Sequence, residues 1–157
     1  MKLEFINTNL KRYTFQSPKI REWVESNCIG KTLNLFAGKT RLNINEYRID
    51  ADNTMVADEY CDAYEFIKST RINFDTILLD PPYAYRKSME MYNGNYSSKF
   101  KLIADEIKKL NIKRVISFGY HSTFMGKKRG YILDKLCVFA HGGAQHCTIG
   151  IIEISKD

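Results

Sequence analysis

Phe74-Asp75-Thr76-Ile77-Leu78-Leu79-Asp80-Pro81-Pro82-Tyr83 is the stretch whose reading decides the fold. Its first six residues are nearly all apolar, as in a central parallel strand covered on both faces. The strand must stop at Asp80, because Pro81 and Pro82 have no N–H to give to a ladder. On either side, short apolar runs alternate with helical patterns. Upstream, Ser17-Pro18 reads as an N-cap followed by proline at the first helical position. Ile20, Trp23 and Val24 then share one face of a helix over 18–27. Thr32 to Phe36 is a short strand running into the turn Ala37-Gly38-Lys39-Thr40, Glu46 to Asp50 is a second strand, and Asp62 to Ser69 a short helix. Downstream, residues 84–96 read as a loop, and Ser97 or Ser98 caps a helix whose face is Phe100, Ile103, Ile107 and Leu110. Arg114 to Tyr120 is another strand, and Tyr131–Ala140 and Cys147–Ile154 pair around His141-Gly142-Gly143. The pattern predicts an α/β sheet, mostly parallel, with an antiparallel C-terminal hairpin at its edge.

A chain of 157 residues is sized for one domain, here 1–157, and it contains no repeat or linker-like tract. Its 44% hydrophobic and 27% charged residues are ordinary for a globular protein and exclude a disordered tail. No apolar run approaches the ~18 residues of a membrane span, and Met1 to Tyr13 lacks a signal-peptide core, so no membrane partner is expected. Cys28, Cys61, Cys137 and Cys147 are scattered, without a C-x-x-C pair, which predicts a reduced, cytoplasmic protein. The net charge of +6 makes polyanions reasonable partners.

In open α/β sheets, ligands bind beyond the carboxyl ends of the strands. Three such ends carry unusual residues: Phe36-Ala37-Gly38, Asp50, and Asp80-Pro81-Pro82-Tyr83. Gly38 permits close backbone approach to a ligand. A carboxylate at Asp50 can take both hydroxyls of a ribose, and Asp62 follows within reach of an adenine amino group. The plainer reading makes Gly38 a turn and Asp50 and Asp62 helix caps. In the tetrad, two prolines stiffen the backbone, so the Asp80 carboxylate and the Pro81 carbonyl form a fixed pair of acceptors beside the flat face of Tyr83. Such a set suits the two N–H donors of an exocyclic amino group on a stacked heterocycle.

Asn34-Leu35-Phe36-Ala37-Gly38-Lys39-Thr40, followed by Asp50, Asp62 and Asp80-Pro81-Pro82-Tyr83, resembles the S-adenosylmethionine-dependent amino-methyltransferases that modify adenine N6 or cytosine N4 in DNA. The resemblance covers roughly residues 13 to 154. It implies a Rossmann-like class I methyltransferase sheet, with S-adenosyl-L-methionine as cofactor and no catalytic metal. It further implies that Phe36, Ala37 and Gly38 line the methionine part of the cofactor. Asp50 would hold the ribose, Asp62 the adenine amino group, and Phe15, in the strip Tyr13 to Lys19, the methionine end. Asp80, Pro81, Pro82 and Tyr83 would form the catalytic tetrad that holds the target base. The chain departs from the pattern at Asn34, where the family has an acid, and at Thr40, where it often has a second glycine. Gly38 to Asp50 is too short for a full crossover helix. With no recognition domain, specificity would come from loops, a homodimer or a partner. Arg86, Lys87 and Lys127-Lys128-Arg129 are the expected phosphate contacts.

The expectation is therefore methyl transfer to a base amino group, adenine N6 in DNA first. The alternatives are RNA, at guanine N2 or adenine N6, and a non-catalytic module that holds nucleic acid or cofactor. Two decoys are set aside. Gly38-Lys39-Thr40 and Gly30-Lys31-Thr32 echo a P-loop, but Leu33 and Glu25 stand where its first glycine must be. Cys137, His141, His146 and Cys147 lack the spacing of a zinc site.

Overall fold

The computed structural model describes residues 1–81, 99–119 and 123–157. Pro82, Tyr83, the expected loop 84–96 with Arg86 and Lys87, Ser97, Ser98 and Tyr120 lie outside the described residues. The elements are β1 (Lys2–Asn7), α1 (Pro18–Asn27), β2 (Thr32–Asn34), β3 (Glu46–Asp50), β4 (Glu59–Tyr60), α2 (Ala63–Ser69), β5 (Thr76–Leu79), α3 (Lys99–Lys109), β6 (Arg114–Gly119), β7 (Tyr131–Ala140) and β8 (Thr148–Ser155). The eight strands form one sheet in the order β1-β7-β8-β6-β5-β2-β3-β4. Among the described strands only β8 runs against its neighbours, pairing antiparallel with both β6 and β7. The other pairs are parallel.

The mostly parallel α/β sheet with an antiparallel β7–β8 pair is the architecture the sequence predicts. The hairpin, however, is not the edge. β8 inserts between β6 and β7, and β1 adds beyond β7 with Leu3 opposite Leu136 and Phe5 opposite Val138. The sequence reading assigned no element before residue 13, so β1 is an addition. β2 is also shorter than expected: the ladder ends at Asn34, and Leu35 to Ala37 continue toward the turn. Residues 38–45 make the β2–β3 crossover without a helix, as their length dictates.

Both faces of the sheet are covered. On one, Ile20, Trp23 and Val24 of α1 pack on Ile116, Phe118, Phe139 and Ile152. Trp23 meets Phe118 and Phe139 edge-on at 5.9 and 5.5 Å between ring centroids. On the other, α2 and α3 cover Leu33, Ile77, Leu79 and Val115 with Phe66, Ile67, Ile103 and Ile107. Thr76 to Leu79 are buried throughout, which explains the apolar run Ile77–Leu79, and the Thr76 hydroxyl is satisfied by the Ile29 carbonyl at 2.8 Å.

The chain moves outward from β2 to β3 to β4, then returns to the other side of β2 as β5. That reversal opens a crevice between the carboxyl ends of β2 and β5. The Lys127-Lys128-Arg129 turn lies away from it, which corrects the expectation that it faces a polyanion beside the site. β7 runs parallel to β6, so the chain leaves Gly119 and must return to the amino edge before Tyr131 can begin. There Tyr131 faces Ser155, and the Gly130 carbonyl accepts from the Lys156 N–H at 2.9 Å. Arg129 is tied to Asp105 at 2.8 Å. The buried Glu153 carboxylate fixes the approach to this turn by accepting the N–H groups of Phe124, Met125 and Gly126.

Candidate active site

Three carboxyl ends meet in a cleft of about 530 Å³. β2 contributes Phe36, Ala37 and Gly38, β3 contributes Asp50, and β5 contributes Asp80 and Pro81. Phe15 joins them from a short 3-10 turn at Thr14–Gln16. It is buried and sits edge-on to Phe118 at 5.6 Å. The structure thus gathers seven of the sequence-selected residues around one space. Asp62 is placed differently. It is the N-cap of α2, where Oδ1 accepts from the N–H groups of Tyr64 and Glu65, and it does not line the cleft. Pro82 and Tyr83 are outside the described residues.

Gly38 has φ +64°, a conformation that side chains resist, and open space where a Cβ would point. Its N–H donates to Asp50 Oδ2 at 3.0 Å, while Asp50 Oδ1 accepts the N–H of Asp52 at 2.9 Å. Each Asp50 oxygen therefore keeps a lone pair for a further donor. Asp52 in turn accepts the hydroxyl and N–H of Thr54, which, with the nearby Lys39 cation, holds its carboxyl below the usual range.

Sequence reasoning missed the residue that holds this turn. Arg48 on β3 is completely buried, and all five of its N–H donors are used. Nη2 donates to the carbonyls of Ala37 and Gly38 at 2.8 and 3.2 Å. Nη1 donates to the Thr40 carbonyl and Glu46 Oε1 at 2.9 and 2.7 Å, and Nε to the Val56 carbonyl at 2.8 Å. Glu46 neutralises the guanidinium and also accepts from the Leu42 N–H and the Asn34 amide. The buried acid next to the glycine turn is thus Glu46 of the neighbouring strand, and Asn34 at the position of the departure donates to it. The only signal in the sequence was Glu46 and Arg48 two residues apart, on one face of a strand.

The other wall is the arm between β1 and α1. β1 ends at the carboxyl edge, so residues 8–17 must cross the ends of the strands to reach α1. Leu10, Lys11, Arg12, Tyr13 and Thr14 line the cleft as a result. The arm is pinned at His141, whose Nδ1–H donates to the Thr8 carbonyl at 2.9 Å while Nε2 accepts from the Thr148 hydroxyl at 2.7 Å. Thr8 also bonds Ser17, hydroxyl to hydroxyl, at 2.7 Å. His141 thus anchors the arm and itself lines the cleft, and no group of three metal-ligating side chains occurs among the described residues.

Asp80 has a second neighbourhood. A smaller cleft of about 350 Å³ is lined by Asp80, Gly119 and the Gln145-His146-Cys147 segment of the β7–β8 connection. It shares Asp80, Leu10, Thr14 and Thr148 with the larger one.

No family model matches the chain, and no curated protein matches it. Solved structures do. TrmN from Thermus thermophilus superposes with a TM-score of 0.61 at 15% identity, covering 92% of this chain and 50% of that one. YhhF from Escherichia coli, described as a putative methyltransferase, gives 0.57 at 10% identity, covering 89% and 85%. The chain spans half the length of the TrmN chain. At these identities the likeness is one of fold: a Rossmann-like, methyltransferase-type α/β sheet.

Proposed function

We propose that this protein is an S-adenosylmethionine-dependent methyltransferase acting on the exocyclic amino group of a nucleic-acid base, with adenine N6 in DNA or in RNA as the substrates to compare. The observation that carries the proposal is the place of Asp80, in the lining of both clefts. A residue shared by two adjoining spaces can act on a group passing between two ligands.

The larger cleft suits the cofactor. Its volume is in the ordinary range for small-molecule sites. Gly38 leaves open space, Asp50 keeps free acceptor capacity, and Phe15, Phe36 and Ala37 give apolar walls. Asp50 would take the ribose hydroxyls, and Phe15 and Gly38 would flank the methionine end. Asp62 enters only as a candidate for the adenine amino group, from its place at the start of α2. Bound there, S-adenosylmethionine supplies a methyl sulfonium that is already strongly electrophilic, so the protein's task is alignment.

Asp80 and the Pro81 carbonyl provide that alignment by accepting the two N–H groups of the acceptor amine. Positive charge develops on this nitrogen during attack, and the carboxylate stabilises it more in the transition state than in the ground state. Pro82 and Tyr83 complete the proposed tetrad, Tyr83 by stacking on the base. A base within a duplex would have to be flipped out to reach it.

Single-turnover methylation with saturating cofactor tests the reading. Asp80→Ala is expected to lose about 10²–10³ in rate, as when an oxyanion-hole donor is removed, with cofactor affinity nearly unchanged. Asp80→Asn, which keeps one acceptor without the charge, falls between. A wild-type rate for Asp80→Ala on both polymers would sink the proposal.

A further inference from the structure

The cleft has a cationic rim that the sequence reading did not assign. Lys11 and Arg12 of the arm and Lys39, immediately after the glycine turn, all line the cleft and are all exposed. Arg12 and Lys39 lie over the ring of Tyr13, at 5.6 and 5.7 Å from its centroid. One aromatic ring thus joins two cations from opposite walls, the arm and the β2 turn. Among the described residues none of the three makes an ion pair, whereas Arg129 on the opposite edge is held by Asp105. Lys127 and Lys128 are exposed but lie on that far edge.

We infer that Lys11, Arg12 and Lys39, organised by Tyr13, form a phosphate-binding rim that seats the sugar–phosphate strand of a polynucleotide across the mouth of the cleft. The inference rests on the reading that a nucleic-acid base is the acceptor. Lys39 has the Asp52 carboxylate nearby, but three cations still exceed what that acid and the single carboxylate of the cofactor could use. Their exposure also places them at the mouth, whereas Phe15 and Ala37 occupy the floor. Attraction between cations and phosphates releases condensed counterions, so it leaves a measurable dependence on salt. Packing over Tyr13 favours cations already gathered before the strand arrives, since a ring face attracts each of them.

The test is binding, independent of methyl transfer. Labelled DNA and RNA oligonucleotides are titrated by fluorescence anisotropy over a range of salt, and S-adenosylmethionine by calorimetry. The combined variant Lys11→Gln, Arg12→Gln, Lys39→Gln is expected to bind oligonucleotide more weakly. Its slope of log affinity against log salt should be shallower by roughly 2 on single strands, at about 0.7 per phosphate contact. Its cofactor affinity should be unchanged. Exchanging the cations for one another (Lys11→Arg, Arg12→Lys, Lys39→Arg) should restore both slope and affinity. Lys127→Gln with Lys128→Gln should alter neither. An unchanged slope in the triple variant overturns the rim, as does a loss confined to cofactor affinity, which would assign these cations to the cofactor carboxylate. If the wild type binds cofactor but no oligonucleotide, the rim fails while the cofactor site stands. If it binds neither, the functional reading fails as well.

Discussion

The Asp50 carboxylate accepts the backbone N–H of Gly38 at 3.0 Å, so the acid ending one strand fixes the turn that ends its neighbour. A ligand at Asp50 would therefore meet a turn already in place. Asp50→Ala removes the turn's anchor and, on the proposed function, the ribose acceptor together. Cofactor affinity is expected to fall by roughly 1–3 kcal/mol, the scale of a charge-assisted hydrogen bond. Asp50→Asn should lose less. Calorimetry giving equal affinities for wild type and Asp50→Ala would make the carboxylate a turn anchor alone.

Arg48 is the larger risk to the fold. With Arg48→Met, Glu46 is left charged and buried and four carbonyls lose their donors. A broken buried pair costs about 3–5 kcal/mol. The double variant Arg48→Met, Glu46→Gln should recover part of that loss. Urea unfolding measures both, and a midpoint for Arg48→Met equal to that of wild type would contradict the clamp described here.

Much of the scaffold was legible in the sequence, and the reasons are local. α1 starts and ends where Pro18 and the apolar face place it, because a proline acts within a few residues. Ser17 stands at the N-cap position, but its hydroxyl bonds Thr8 rather than a helix N–H. β5 was legible because burial on both faces leaves Ile77, Leu78 and Leu79 in succession, with only Thr76 polar. β1 was not. It is an edge strand whose Leu3 and Phe5 are each 67% exposed, so its alternation marks no buried face. The site divides the same way. Gly38, Asp50 and Asp80 could be selected because strand ends in such sheets are where ligands bind. Arg48 takes its meaning from Ala37, Thr40 and Val56, which only the folded chain brings around it. The 127–129 turn misled because charge alone does not say at which edge of a sheet a turn falls.

Acid should loosen the β1 edge first. Glu4 accepts from the Trp23 indole at 2.6 Å and pairs with Lys2 at 2.9 Å and Lys135 at 3.5 Å. The Lys2 hydrogen bond foremost, then the Trp23 bond and the Lys135 charge, hold its carboxyl below the ordinary 4.5 against the opposing effect of burial. A lowered carboxyl contributes stability that is complete above the ordinary value and is lost as pH falls through the folded one. Wild type should thus lose more stability than Glu4→Gln as pH drops below about 4.5. Parallel acid limbs in urea titrations of the two would refute the assignment. Since Lys2 is exposed, salt should shrink the difference.

Thiol chemistry should single out one cysteine. Burial pushes the thiols of Cys28 and Cys61 up to about 11 and that of Cys137 to about 12. Cys147 is exposed and lines the smaller cleft. Brief alkylation at pH 8 followed by mass spectrometry is expected to give one adduct, at Cys147. An oligonucleotide seated at Asp80 should slow it. Equal labelling at Cys137 would show that β7 opens far more readily than its packing implies.

The Thr8–His141 bond joins residues 133 positions apart, and among the described strands β1 pairs only with β7. Contacts this distant along the chain form late, because the intervening loop must close first. During synthesis, β1 has no neighbour until β7 has been added. Residues 8–17, the wall carrying Lys11, Arg12 and Phe15, therefore cannot settle over the strand ends before then. A nascent chain halted before β7 would hold β2, β3 and β5 and still have no closed cleft. Competence to bind would then arrive in a single late step of folding, only once β7 has been made.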